Sequence, residues 1–254
     1  MLVAAVFPLL IGIGLKAADP HGGHGGAGPN QSGAYFSQLA GNGVFLTFVA
    51  LSLLLLLVLP MIVGVVAGDS IAGEAGYGTL RYLLAVPAGR TRLLAVKYAA
   101  IVVWSVAATF IVSVVALISG VALFGAGPVT LLSGTTVSLG DGLVHVLWVT
   151  LYVCAAMASF GAIALAISTF TEHAIGAIAA ALIIAVGSEI VQNIPQFAAV
   201  NPYLPTDWWL DFDALLRTPI DTTTLIRGLL SFFVYAVIFL AIAWARFTSA
   251  DVTS

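Results

Sequence analysis

The chain has 254 residues, of which 61% are hydrophobic and 7% charged, with a formal net charge of −3. Soluble globular domains carry about a quarter charged residues and their helices keep a polar face, so a soluble domain is excluded. Several apolar runs lack a polar face over lengths that cross a bilayer, and none alternates as barrel strands do; the composition predicts an all-α integral membrane protein.

The apolar runs predict six transmembrane helices near residues 1–17, 43–67, 98–124, 143–169, 174–194 and 225–246, within one transmembrane domain over 1–254. The first run ends "GIGLKAADP". A signal peptide has an apolar core of this size, but its amino end is usually basic, so the run is read as a retained span. A start upstream of Met1 would supply the missing basic flank. "DPHGGHGGAGPN" follows as a flexible Gly-rich linker. His21 and His24 in it fall short of a metal site, because two histidines seldom complete one.

The second run leads into a charged loop, residues 68–97, with Asp69, Glu74, Arg81, Arg90, Arg92 and Lys97. Gly73, Gly76 and Gly78 predict a bend after span two. Thr79 is placed to cap a short helix from Leu80, whose Leu80, Leu83 and Leu84 share one face. Pro87 and Gly89 end it, and Arg90 begins a second helical piece that runs into span three. A basic loop on anionic lipid accounts for Arg90, Arg92 and Lys97. It does not account for Asp69 and Glu74, whereas a short amphipathic elbow suits a groove in a soluble partner.

Further along, small residues such as Ile175–Gly176–Ala177 let helix backbones approach in lipid. Cys154 reads as a small buried apolar residue. Glu189 is an ionisable residue within a span, about a turn and a half from its end. It is either a cargo or ion contact, or a partly hydrated carboxylate near Gln192 and Asn193 with Arg227 as a candidate partner. Residues 195–224 are broken by prolines. Trp208 and Trp209 there fit the membrane–water interface, which predicts short interfacial or re-entrant helices before the last span.

Basic residues set orientation. Arg81, Arg90, Arg92 and Lys97 after span two, and Arg246 after span six, place both termini in the cytoplasm. Asp19, Asp141, Asp207, Asp211, Asp213 and Asp221 then lie outside, with Lys16, Arg217 and Arg227 as exceptions. No G-x-x-x-x-G-K-[ST] occurs, so the chain has no P-loop. An intramembrane enzyme needs converging catalytic groups, yet His145 and His173 lie at span ends and Ser159 has no evident base. A secondary transporter driven by an ion gradient is the main rival. Such proteins often carry internal repeats and midplane ionisable residues, and here no repeat is convincing.

The pattern Asp69-x4-Glu74-x3-Gly78-Thr79-x-Arg81-x-Leu83-Leu84-x2-Pro87-x2-Arg90, closing with Lys97, resembles the first cytoplasmic loop of type-two ATP-binding-cassette (ABC) exporter permeases. "LAISTFTEHAIGAIAAAL" resembles that family's second, very short cytoplasmic turn, and "ARFTSADVTS" its usual close. Family members usually begin with a basic amphipathic helix, which this sequence lacks. The resemblance implies a permease dimer, of the same or a related chain, carried on two ABC ATPase subunits that bind ATP and Mg. The chain itself would hold no cofactor, no catalytic residue and no metal, and would touch lipid but no nucleic acid. Asp69, Glu74, Gly78, Thr79, Arg81, Leu83, Leu84, Pro87, Arg90, Glu172 and His173 would couple it to the ATPase. Within that set Glu74 and Arg81 would be polar contacts and Leu83 and Leu84 apolar anchors. The cargo would be a hydrophobic or amphipathic drug, peptide or lipid, exported across a bacterial plasma membrane.

Overall fold

The computed structural model describes residues 2–18, 42–77, 89–127, 129–130, 133 and 135–249. Among the described residues seven α-helices follow in order: α1 (Leu2–Ala18), α2 (Phe45–Leu56), α3 (Val58–Gly76), α4 (Arg90–Phe124), α5 (Leu139–Ser168), α6 (Ala174–Gln192) and α7 (Thr222–Ser249). Helices α3 to α7 are long and apolar enough to cross a membrane, whereas α1 and α2 contain only shorter apolar stretches. The fold is that of an all-α membrane protein. A two-residue antiparallel pair, β1 (Val129–Thr130) with β2 (Thr136–Val137), interrupts the α4–α5 connection. Three short 3-10 helices, Pro195–Phe197, Asn201–Tyr203 and Asp211–Leu216, fill the segment before α7, where short helices were expected.

The apolar run expected as span two is broken at Leu57, whose φ of −143° and ψ of −48° leave the helical region. Pro60 is the cause. It has no N–H to give Leu56, and its ring would clash with that carbonyl. The ladder restarts where Met61 N donates to Leu57 O at 2.9 Å. Helix α3 then runs on to Gly76, past the bend expected at Gly73. A Cβ at Gly73 would lie 2.1 Å from Asp69 Oδ1, so this glycine makes room for a carboxylate on its own helix and does not break the helix. Helix α4 starts at Arg90, where the second piece of the elbow was expected, and its 35 residues extend ~52 Å at 1.5 Å per residue. That exceeds a hydrocarbon core of about 30 Å.

The chain forms two compact units. The first comprises Met1–Leu55, Ala107–Cys154 and Trp209–Arg227. Gly43 and Gly120 meet backbone to backbone in it. Asn42 fixes the start of α2 by accepting from Val44 N at 2.9 Å and donating to Gly127 O. Gly12 lies against Leu46 and Leu123, and Lys16 Nζ donates to Leu123 O at 2.9 Å, in the last turn of α4. Trp209 is 1% exposed in this core, with Phe212 fully buried beside it in sequence. Asp213 pairs with Arg217 at 2.8 Å. Asp221 caps α7, accepting from Thr223 N, Thr224 N and the Thr224 hydroxyl; these bonds hold its carboxyl below the ordinary carboxylate range.

The second unit comprises Leu56–Val106, Ala155–Trp208 and Gly228–Ser254. In it α3 packs against α6. Ala177, Ala181, Ala185 and Ser188 bury one stripe of α6 at spacings of four, four and three. A Cβ on Gly68 would approach Ile178 N to 3.0 Å, so the backbones are in near contact there. Small residues permit this approach, and in lipid such packing drives association. Gly161 gives the same room to Ile101 and Val63. Of the most apolar stretch of α5, 78% is buried, against 11% for α7. The α7 side chains Ile226, Leu230, Phe233 and Val237 are all exposed, which an apolar surround, lipid or protein, makes favourable.

Candidate functional site

The flanks of the charged loop lie in the second unit and are fixed there by polar contacts. Gly78, Thr79, Arg81, Leu83, Leu84 and Pro87 lie outside the described residues, as do the short helix expected from Leu80 and His21 and His24 of the linker. The loop's entry and exit are α3 and α4. Lys97 Nζ, on α4, is 2.6 Å from Glu74 Oε1 on α3, with side chains 13% and 32% exposed. The same ammonium donates to Ser70 O at 2.5 Å. Charge-assisted bonds are among the stronger polar contacts a protein makes. Glu74, expected to face a partner, therefore has an intramolecular partner two turns inside α4.

A second contact joins α3 to the end of α5. Ser168, fully buried, accepts from Ala72 N at 2.9 Å and from Ile71 N at 3.2 Å, and donates to Gly68 O at 2.8 Å. Ala72 and Gly68 are an i, i−4 pair, so this hydroxyl bridges one rung of the α3 ladder. It ties the turn before the loop to the turn that follows α5. Ser168→Ala removes the bridge but lets Ala72 N–H and Gly68 C=O pair directly. We expect a loss of about 1 kcal/mol, read as a small drop in melting temperature. Ser168→Val adds bulk at a fully buried site and is expected to cost more; equal melting of both variants would contradict this account.

The α5–α6 turn carries Glu172 and His173, both exposed. His173 N bonds to Thr171 Oγ1 at 3.1 Å, which turns the chain into α6. Gly76 abuts this turn, since a Cβ there would lie 2.7 Å from Glu172 O. Tyr77, next to it, is 85% exposed, and Asp69 is exposed one helical turn before Gly73. Phe170 receives the Arg246 guanidinium at 5.7 Å from its ring centre. Arg90 Nη1 donates to Thr248 O at 2.9 Å and to Phe247 O at 3.4 Å. The second unit thus holds both flanks of the loop, the α5–α6 turn and the end of α7. Sequence alone does not single out Ser70 and Ser168; the available signal is a polar residue at the end of an otherwise apolar run.

Glu189 stands apart, fifteen residues along α6 from its start, or about 22 Å by helix rise. It is half-buried, with Thr206 and Asp207 as polar neighbours. Gln192 donates to the buried Thr206 hydroxyl, and burial raises the Asp207 carboxyl above its ordinary range. Among the described residues, no three His, Cys, Asp or Glu side chains converge as a metal site. In sequence comparison, the family model described as "ABC-2 family transporter protein" matches residues 1–188. No curated protein matches the chain.

Proposed function

Because the chain belongs to the ABC-2 transporter family, and is therefore a multi-pass membrane subunit of an ABC transporter that works with an ABC ATPase, we propose that the 68–97 loop is its coupling element. The observation that supports this reading is the bracing of the loop's flanks. The Glu74–Lys97 pair and the Ser168 bridge hold them, and the exposed Tyr77, Glu172 and His173 stand beside them. A loop that only satisfied topology would not need a half-buried ion pair across its base. Residues 78–88 would present the apolar Leu83 and Leu84 to a cleft in the ATPase.

In this reading two permeases, of the same or a related chain, form the pathway, each on one ATPase that binds ATP and Mg. The loop end faces the cytoplasm of a bacterial cell. Closure of the ATPases would rock the permeases between inward-facing and outward-facing states. A mainly apolar pathway favours hydrophobic or amphipathic cargo leaving the cell. Glu189 would line its opposite half.

The test is copurification. The tagged chain is coexpressed with the ABC ATPase encoded beside it, and hydrolysis and cargo export are measured in liposomes. We expect a stable complex whose export requires ATP. Failure of any ATPase to copurify, with solute movement driven by an ion gradient alone, would replace this reading with a secondary transporter.

A further inference from the structure

Arg90 opens α4, and no acidic residue occupies the first turn of that helix. A cation there faces the positive end of the helix dipole, which is unfavourable. The side chain is used elsewhere. The last four carbonyls of α7, from Arg246 on, have no intrahelical backbone donors. The Ser249 hydroxyl donates to Arg246 O at 3.2 Å. Phe247 O and Thr248 O take the Arg90 guanidinium, at 3.4 and 2.9 Å. The cation that is misplaced on α4 thus sits at the negative end of α7. One residue on, Trp244 Nε1 donates to Thr91 Oγ1 at 3.0 Å, so the junction has a second clasp.

We propose that Arg90 is a positioning residue that caps the last helix and locks the exit of the 68–97 loop to it. The loop then drives α7 together with α4. Arg90 acts inside the chain, whereas Arg92, exposed two residues later, is free of this duty. The consequence for transport rests on the coupling reading above; the cap itself does not.

The experiment has two readouts. Thr91→Cys and Trp244→Cys are introduced with Cys154→Ser, and a short bifunctional thiol reagent reports their proximity in membranes without any ATPase. Cross-linking is expected to fall about tenfold on adding Arg90→Gln, matching the loss of a charge-assisted bond. It should hold with Arg92→Gln and recover in part with Arg90→Lys. In the copurified complex, without the cysteines, Arg90→Gln is expected to lower export per ATP hydrolysed by a similar factor while the ATPase stays bound. Arg90→Gln that behaves as Arg92→Gln in cross-linking overturns the cap. Normal cross-linking loss with unchanged export per ATP overturns the link to transport. Absence of any bound ATPase in the parent chain overturns the coupling reading alone, because cross-linking still decides the cap.

Discussion

Gly43→Val is expected to abolish recovery of folded protein. A Cβ at Gly43 would lie 2.1 Å from Gly120 O and 2.2 Å from Gly120 C, and a Cβ at Gly120 would lie 2.0 Å from Gly43 O. These are contacts with backbone, so no rotamer change relieves them; α2 and α4 would have to separate. Separation is opposed on both sides. Gly43 N donates to Gly125 O at 3.2 Å, Asn42 is tied to Gly127 O, and Leu46 fills the space next to Gly120. Overpacking a core costs roughly 1–3 kcal/mol when side chains can yield, and more is expected where they cannot. Total stabilities are about 5–15 kcal/mol. Gly14→Ala and Gly187→Ala are the controls, since nothing lies within 4 Å of a Cβ at either; alanine's better helix propensity makes them neutral or slightly stabilising. Size-exclusion profiles and melting of the detergent-solubilised protein check both. A monodisperse Gly43→Val protein that melts with the parent would show that the crossing has slack.

The second large effect is at the loop base. Lys97→Met is expected to reduce export more than Glu74→Gln does. Lys97→Met removes both bonds of the ammonium and leaves the Glu74 carboxylate half-buried without it, while Glu74→Gln keeps a neutral acceptor at the same place. Losing one member of a buried pair costs about 3–5 kcal/mol. With the Glu74 side chain 32% exposed, solvent screening lowers the expectation to about 1–3 kcal/mol. The double variant Glu74→Gln/Lys97→Met should lose less than the sum, because the two groups interact directly. Melting temperature and export per ATP hydrolysed in the copurified complex give the readouts. Strict additivity would mean that the two side chains do not act as a pair.

Much of this molecule is legible in its sequence. Uninterrupted apolar length marks helices in lipid, and the starts of α4 and α6 follow from Arg90 and from the "TFTEHA" turn as read. The elbow pattern and the family it resembles were legible too, since they rest on local residue order. Pro60 is equally visible, yet run length alone predicts one span where the structure has two helical pieces. Gly73 reads as a breaker in sequence because glycine signals both a bend and a close approach, and only the position of the Asp69 carboxylate distinguishes them.

The sequence by itself determined that the chain is helical and lies in a membrane, because composition and run length are properties of each segment alone. Tertiary structure decided which polar groups meet. Lys97 and Glu74 are 23 residues apart, Ser168 and Gly68 are 100 apart, and Arg90 and Thr248 are 158 apart. No local periodicity encodes those distances. In an apolar surround a polar group must find a partner wherever the fold brings one, so the identity of the partner is settled only when the helices pack.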